Sequence, residues 1–402
     1  MDEVFRQSLL QWKTSISVDS VLMLFMALFA LTGAIDKILG DRHGYGTAFT
    51  DGLCLMGPLA LAVAAIYAAA PLLARLLTPV VTPLFSRLGA DACAFAGIIL
   101  PSDMGGYALA MRMTSSPALG NFSGLILGGT VGSIWAFTLP VALSVLEERD
   151  KSFFAAGILC GLITIPIGCL VGGLLMGLTD FSLSFRAILI NTIPVAVLAI
   201  LVGAGLWLKP ERTVQIFGYF GKAVTIAATV LTGIAVFEEL TGILLPFFDT
   251  MVETNSDGLT GFDEGLLLCG KIALVLSGAF PMMLFIKKHG APLFSKIERI
   301  LGVDSATSLG LMAACTNCLP AVASIKDMND RGKILTAAFI AGGGFVFGDY
   351  LGFAASAEPQ MILPMLGAKL TSGILGILLA SLLSPVLLNR IAGDMCCTSN
   401  IQ

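Results

Sequence analysis

The chain has 402 residues, of which 56% are hydrophobic and only 12% are charged, and its mean hydropathy is +0.91. Soluble domains carry about 25% charged residues, so half that share over the whole length predicts a polytopic membrane protein. The net charge is −4 and the chain has no basic tract, which argues against nucleic acid as a partner.

The apolar residues fall into eleven segments that are joined by short linkers. A membrane-spanning helix needs about 20 mostly apolar residues, and the segments run roughly over 17–39, 51–77, 91–113, 120–145, 152–179, 185–208, 214–247, 264–287, 303–327, 332–356 and 360–390. We therefore predict an all-α fold with one transmembrane domain over residues 1–402. The polar residues before segment 1 are typical of an amphipathic lead rather than a cleavable signal peptide.

Two stretches of the chain resemble each other. Residues 83–91 read PLFSRLGAD and residues 292–304 read PLFSKIERILGVD, so the second copy has a four-residue insertion. After Asp91 and Asp304 the similarity continues into AFAGIILPSDMGG and TSLGLMAACTNCL. We predict an internal repeat, with repeat 1 over about 51–179, repeat 2 over about 264–390 and connecting helices over 185–247.

The distribution of basic residues indicates that the two copies are inverted. Cytoplasmic loops carry an excess of Lys and Arg, and the linkers 209–222, 287–299 and 326–333 are rich in both. All three linkers lie inside only if segment 9 enters the membrane and returns as a re-entrant hairpin. The same reasoning for segment 3 leaves an odd number of crossings between the copies. The chain would then have about 9–11 membrane helices and two broken hairpins that approach the midplane from opposite faces.

The break in segment 3 is the first candidate site. Residues 101–106 read PSDMGG, in which the proline removes a backbone donor and the paired glycines loosen the helix. Irregular backbone at membrane depth is tolerated only where it is buried or lines a cavity, and a carboxylate there is costly. We expect Asp103 to face a small cation, or to cap the second half of the hairpin. Ser102, Met104 and Gly105 would then line the site.

The break in segment 9 is the second candidate site. Thr316 and Asn317 occupy the position that corresponds to the first break, and an amide offers the donor and the acceptor that a hydroxyl group needs. The alternative is that the Asn317 amide satisfies backbone groups that are freed by Pro320. One hairpin tip is therefore expected to be charged and the other neutral.

Three further residues are weaker candidates for substrate binding. Asp349 is a lone carboxylate in segment 10, and it either belongs to the site or pairs with Lys369 or Lys271. Trp135 and Tyr107 would offer aromatic faces to an ammonium. The alternative for both rings is that they pack between helices or anchor the chain at the interface.

The sequence does not favour an enzyme, a metal site or a cofactor. The two histidines, His43 and His289, both lie in linkers, and Cys315 and Cys318 have CxxC spacing without a second pair. The residues thus indicate an inverted-repeat transporter. An ion-coupled carrier of a nucleoside or of another small polar solute stays open, as do a membrane enzyme and a membrane protein that does not transport.

Several short motifs are spread over nearly the whole chain. They are DKIL at 36–39, SDMGG at 102–106, SGLILG at 123–128, FTLPVAL at 137–143, TIPIGC at 164–169, GAFPM at 278–282, RGK at 331–333 and GDYLGFAA at 348–355. Together they resemble the ethanolamine-utilisation membrane permease family, EutH. Tyr350 and Cys318 depart from the family pattern, in which some members have His and a second Asn at these positions.

The resemblance implies facilitated uptake of ethanolamine by a multi-pass protein of the bacterial cytoplasmic membrane. Ethanolamine is an ammonium joined to a hydroxyl, so Asp103 would face the ammonium and Asn317 or Thr316 the hydroxyl. A facilitator should matter most in acid, because the uncharged amine that crosses lipid unaided becomes scarce there. Ion coupling does not follow from the sequence, and small-residue helices in segments 4 and 10 leave packing against a second copy open.

Overall fold

The computed structural model is all-α, as the composition predicts. It describes residues 6, 7, 10, 12, 13, 16–248, 251, 254 and 258–399, so most of the predicted amphipathic lead lies outside the described residues. The α-helices in chain order are α1 (Val18–Ile38), α2 (Tyr45–Cys54), α3 (Met56–Arg87), α4 (Cys93–Ile99), α5 (Tyr107–Met113), α6 (Pro117–Asn121), α7 (Leu139–Val145), α8 (Glu148–Leu175), α9 (Phe185–Leu208), α10 (Pro210–Thr241), α11 (Gly261–His289), α12 (Ala291–Leu301), α13 (Ser305–Thr316), α14 (Cys318–Ala323), α15 (Asp330–Gly343), α16 (Asp349–Ala357) and α17 (Ile362–Ser399). Wider π-helical turns cover Phe122–Gly132 and Ile134–Thr138, and 3-10 turns cover Met176–Leu178, Ile325–Asp327 and Pro359–Met361. Residues 102–106 form a kinked turn, with non-helical backbone at Met104 and Gly105.

Seven helical stretches of the described chain are long and apolar enough to cross a membrane. They are Asp19–Ile38, Tyr45–Arg87, Glu148–Leu178, Phe185–Leu208, Gln215–Thr241, Gly261–His289 and Pro359–Gly393. Each corresponds to one of the eleven predicted apolar segments, and the multi-pass class is confirmed. Of the other four segments, 120–145 is largely π-helical, and 91–113, 303–327 and 332–356 are each broken into two helices.

The long helices carry large apolar side chains on their outer surface. Exposed examples are Leu31, Val80, Ile200, Ile226, Leu274 and Leu382. Extensive exposed apolar surface on a protein marks a surface that contacts a membrane or a partner. Helices of this length and hydropathy indicate contact with a membrane, because lipid tails solvate such side chains.

The interrupted segments lie at the centre of the molecule. Every residue of the π-helical turn Phe122–Gly132 is buried, and so is every residue of α15 from 332 to 343. The first stretch contains four glycines and the second contains three glycines and three alanines, and such small residues let helix backbones approach each other closely. Widened π-helical turns also occur frequently at functional sites.

In each of two broken segments, an aspartate at the start is hydrogen-bonded to a residue at the end. Asp91 precedes α4, and its Oδ2 accepts a hydrogen bond from the hydroxyl of Thr114, which follows α5, at 3.2 Å. Asp304 caps α13 by accepting hydrogen bonds from the amide and the hydroxyl of Thr307 at 3.0 and 2.6 Å. Its other oxygen accepts a hydrogen bond from the Asn329 amide at 2.7 Å. The two ends of each broken segment therefore lie side by side.

The helices that follow the two broken segments begin with equivalent caps. The hydroxyl of Ser116 accepts a hydrogen bond from the amide of Leu119 at 3.4 Å, and the side-chain oxygen of Asn329 accepts one from the amide of Gly332 at 2.7 Å. The two capping residues are 213 positions apart, which is also the spacing of the two aspartates. The aspartates and the capping residues thus have the same spacing along the chain as the two copies of the predicted repeat.

A buried ion pair joins the first turns of α8 and α15. Lys333 Nζ lies 2.7 Å from Asp150 Oδ1, and the two side chains are 2% and 0% exposed. Asp330 lies 3.5 Å from the same ammonium, and Arg149 lies 3.6 Å from the Asp150 carboxylate. Removing one partner of a buried pair strands the other charge, so this pair holds the two helix ends together.

The cap at Asp304 predicts a pH-dependent contribution to stability. Burial alone would raise the pKa of Asp304, but the hydrogen bonds from Thr307 and Asn329 outweigh it and lower the pKa. A lowered pKa in the folded state stabilises the protein above the unfolded value of about 3.9 and is lost as the pH falls through the folded value. Asp304→Ala should therefore cost about 1 kcal/mol of unfolding free energy near pH 7.

The measurement is unfolding in detergent at several pH values, with Asp51→Ala as the control because Asp51 is exposed on α2. The difference between wild type and Asp304→Ala should shrink below about pH 4. A difference that stays constant down to pH 3, or one that the control reproduces, would contradict this role.

Candidate functional site

The first break separates α4 from α5. Leu100 and Pro101 have extended backbone, with φ/ψ of −114°/142° and −61°/152°. The chain then turns at Met104, with φ/ψ of −102°/36°, and at Gly105, with φ of +87°. Asp103 lies within this turn. The helix ends here because proline cannot donate a hydrogen bond to the preceding turn.

Two of the predicted lining residues shape the turn. The Ser102 hydroxyl donates a hydrogen bond to the carbonyl of Gly124 at 2.6 Å, and Ser102 is 1% exposed. It therefore anchors the first break to the π-helical turn Phe122–Gly132. Gly105 has the left-handed φ that glycine tolerates best, and a Cβ at this position would overlap the side chain of Ile66.

The second break separates α13 from α14 at Asn317, whose φ/ψ is −149°/124°. The Asn317 side-chain oxygen accepts a hydrogen bond from the Leu319 amide at 2.9 Å, and so caps α14. This contact is the backbone role that the sequence left open for the amide. Within the described part of the chain, the amide nitrogen of Asn317 makes no hydrogen bond. Thr316, at the end of α13, is half-buried.

A third break, which the sequence did not predict, separates α15 from α16. The Phe345 and Phe347 amides donate hydrogen bonds to the carbonyls of Ala314 and Cys315, both at 2.8 Å, so this break pairs with the end of α13. Gly348 lies so close to the Thr316 carbonyl that a Cβ would overlap it. Asp349, expected inside an unbroken segment 10, is instead the first residue of α16, where the helix dipole favours a negative charge.

Four side chains near these breaks form a group that we call the charged cluster: Asp103, Asp349, Tyr350 and Lys369. Asp349 and Lys369 both act electrostatically on Asp103. The Lys369 ammonium lies 4.0 Å from the centre of the Tyr350 ring and donates a hydrogen bond to the carbonyl of Gly129. Lys369 is only 1% exposed although it lies in a helix that crosses the membrane.

The Asp103 carboxylate is incompletely satisfied. It interacts with the Tyr350 hydroxyl and with the amide of Met104. Its Oδ1 is buried, and no donor among the described residues lies within hydrogen-bond distance of it. A buried carboxylate oxygen without a donor is costly, so it is the atom here that gains most from a cationic or hydrogen-bonding ligand.

The structure gives the remaining candidates different surroundings. Trp135 is buried, donates a hydrogen bond to the carbonyl of Ile98 at 2.8 Å and stacks on Phe217 at 5.2 Å, which is the packing role. Tyr107 is half-buried against Phe353 at 5.8 Å. Met104 is half-buried in the first turn.

The sequence weighed Lys369 and Lys271 only as partners of Asp349. Lys271 is exposed, and Lys369 acts on Asp103, so Lys369 and Tyr350 join the candidate site. A signal for Lys369 was present, because it is the only basic residue from 334 to 389. A single basic residue in such an apolar stretch is a functional candidate by itself.

A cleft of about 200 Å³ leads to the second break between α11 and α13. Its walls are mostly apolar, with Lys287 and Thr316 as the polar members. The lining residues are Phe280, Met283, Leu284, Lys287, Leu309, Met312, Ala313 and Thr316. The cleft therefore connects Thr316 with the end of α11, where the basic residues of that helix lie.

The profile of the family described as "Ethanolamine utilisation protein, EutH" matches residues 18–383. The chain belongs to this family. It is 39% identical over 358 residues to "Probable ethanolamine permease EutH" of Listeria monocytogenes, which covers 89% of this chain and 92% of that protein. Membership in a permease family confirms that the chain is a bacterial membrane protein and not an enzyme.

Two other relatives align over a similar length. The chain is 39% identical over 369 residues to "Uncharacterized protein YxeR" of Bacillus subtilis, and 34% identical over 391 residues to "Probable ethanolamine permease EutH" of Salmonella typhimurium. Both alignments cover 92% of this chain and 96% of the relative. No solved structure matches the chain.

The first break predicts a large effect of a small substitution in this EutH chain. Gly105→Ala imposes a side chain on a left-handed backbone and drives it into Ile66, so it should lower the unfolding free energy by at least about 1 kcal/mol. The control is Gly233→Ala in α10, where a Cβ meets nothing within 4 Å. Thermal unfolding in detergent tests this, and equal melting temperatures for both variants would contradict the geometry of the turn.

Proposed function

We propose that the chain carries ethanolamine across the bacterial cytoplasmic membrane by facilitated uptake, through a site between the interrupted helices. Membership in a permease family supports transport, and the names of the family and of two of its members support ethanolamine as the substrate. The observation that carries the site assignment is the buried Oδ1 of Asp103, which lacks a donor at a helix break.

The chemistry of the breaks fits the two ends of ethanolamine. A primary ammonium binds carboxylates, carbonyls and aromatic faces, and Asp103, the Gly129 carbonyl and the Tyr350 ring offer one of each around Lys369. The substrate hydroxyl needs an acceptor or a donor, which the Thr316 hydroxyl and the free amide nitrogen of Asn317 supply. In this arrangement Asp103 faces the ammonium, and the second break faces the hydroxyl.

We further propose that the two broken segments are re-entrant hairpins. The hydrogen bonds from Thr114 to Asp91 and from Asn329 to Asp304 support this arrangement, because each joins the beginning of a hairpin to its end. A segment that crossed the membrane once would have its ends about 30 Å apart. The hairpin tips would then be the breaks at residues 100–106 and at Asn317.

Contacts to α9 and α17 support entry of the hairpins from opposite faces. The amide of Asp91 donates a hydrogen bond to the side chain of Asn191, near the beginning of α9, at 2.8 Å. Arg331, after the second hairpin, donates hydrogen bonds to two serines in the second half of α17. Arg390, further along α17, donates a hydrogen bond to the Trp207 carbonyl at the end of α9. We call the two ends of a hairpin, which lie side by side, its base. In this arrangement the first hairpin base lies near the beginning of α9 and the second hairpin base lies near its end.

The basic residues favour an orientation with the second hairpin base inside the cell. Linkers near this base carry Lys209, Arg212, Arg299, Lys326 and Arg331. Cytoplasmic loops are enriched in such residues. The first hairpin base, with Asp91 and Thr114, is then on the outside.

Labelling of introduced cysteines tests the orientation. Ser115 and Asp327 are exposed near the first and the second hairpin base. In intact cells, a membrane-impermeant maleimide should label Ser115→Cys directly and Asp327→Cys only after permeabilisation. The parent chain measures labelling of the native cysteines. Equal labelling of both variants in intact cells would refute hairpins that enter from opposite faces.

Uptake into proteoliposomes tests the site. Asp103→Asn removes the charge and keeps the shape, so it should weaken ethanolamine binding by about ten- to a hundredfold, as expected for a hydrogen bond to a charged group. The assay uses labelled ethanolamine at acid pH without an ion gradient, because little uncharged amine crosses lipid there. Asp51→Asn, which changes an exposed carboxylate, is the control. If Asp103→Asn binds ethanolamine as tightly as wild type does, Asp103 is not part of the site.

A further inference from the structure

Lys369 holds the same groups that an ammonium substrate would need. Its Nζ donates a hydrogen bond to the carbonyl of Gly129 and lies 4.0 Å from the centre of the Tyr350 ring. The Asp103 carboxylate attracts this ammonium through space without forming a direct ion pair with it. The other titratable groups that act on this ammonium are the thiols of Cys169 and Cys318. The side chain ends in a primary ammonium on a methylene, as ethanolamine does.

We propose that Lys369 is a tethered cation that occupies the ammonium site while no substrate is bound. The incoming ammonium displaces it from the Gly129 carbonyl and the Tyr350 ring, and the lysine returns to these groups when the substrate leaves. The empty protein therefore returns between its two states without a coupling ion. This inference rests on the proposed function, and it adds the residue that completes the transport cycle.

The charge of the empty site explains why such a cation is needed. Asp103 and Asp349 act on each other through space, and both side chains are half-buried. Two carboxylates without a counter-ion are costly in a low-dielectric interior, and the repulsion between them adds to the cost. A transporter with this site must neutralise it in every state that it visits, with a bound ion, a proton or a side chain.

The stem of Lys369 makes displacement physically possible. Lysine is a compact charge on a flexible four-carbon chain, so its ammonium can move by several ångströms without any movement of the helix. The displaced ammonium remains within the electrostatic attraction of the Asp103 carboxylate, so the cation keeps a favourable partner when it yields the Gly129 carbonyl and the Tyr350 ring. A guanidinium is larger and planar and would retreat less easily.

Lys369 could instead serve only to hold α17 against the π-helical turn. In that case its removal would loosen the packing and reduce every mode of transport by the same factor. A tethered cation makes a different prediction, because it acts only in the step in which the protein is empty. Exchange of internal for external ethanolamine omits this step, whereas net uptake into ethanolamine-free vesicles requires it.

The experiment compares the two modes in proteoliposomes that contain wild type, Lys369→Met or Lys271→Met. Lys271→Met is the matched control, since Lys271 is also a lysine of a membrane helix but is exposed. We expect the ratio of exchange to net uptake to rise at least about tenfold in Lys369→Met and to remain at the wild-type value in Lys271→Met. Equal loss of both modes in Lys369→Met, or an unchanged ratio, would overturn the inference.

Wild type supplies a second measurement that does not depend on whether Lys369→Met folds. Its exchange and net uptake should proceed at similar rates without sodium or a proton gradient. A wild-type exchange rate more than about tenfold above net uptake would overturn the inference, because the empty protein would then return slowly despite its lysine. If wild type takes up ethanolamine but the ratios of exchange to net uptake do not fit a tethered cation, this inference fails and the proposed function stands. If wild type transports no ethanolamine at all, both are refuted.

Discussion

The absence of water in the hydrocarbon core of a membrane is the constraint on which this architecture depends. Each broken helix exposes amides and carbonyls that must find partners within the protein. The amides of Phe345 and Phe347 bond to the last carbonyls of α13, and Ser102 bonds to the π-helical turn. Backbone satisfaction therefore brings the second and third breaks together and fixes the first break against the centre.

The same constraint explains why the charged side chains collect in one place. A carboxylate or an ammonium in a membrane interior needs a partner, and each break offers polar backbone that a continuous helix does not. Lys369 binds the carbonyl of Gly129 and the face of the Tyr350 ring, and Asp349 begins a helix. The exposed apolar side chains of the long helices surround this polar centre and separate it from the lipid.

A second group of charges has a different character. Asp150 and Lys333 lie at the first turns of two helices and are paired at 2.7 Å. Here each charge has a near and fixed partner, which suits a structural tie. Asp150 Oδ2 and Asp103 Oδ1 are both buried without a hydrogen-bond donor among the described residues. Asp150 is nevertheless paired with Lys333 through its other oxygen, whereas Asp103 forms no direct ion pair with any described residue and lies at a helix break, which suits a ligand.

The sequence by itself determined the class of the protein and the position of two of the three breaks. Many long apolar runs in one chain are typical of a membrane protein, and the proline and glycines at 101–106 and Pro320 near Asn317 disfavour a continuous helix, so local chemistry was enough for these conclusions. The resemblance of short motifs to a known family was sufficient to name the family.

Only the tertiary structure decided which side chains meet. The third break follows from hydrogen bonds between residues about 30 positions apart in the chain, between Phe345 or Phe347 and the end of α13. Lys369 and Asp103 are brought together by the packing of α17 beside the π-helical turn. Trp135 turned out to donate to a backbone carbonyl. Hydrophobic periodicity shows that a residue is buried, but the helix that covers it is chosen by packing between distant segments, which no local pattern records.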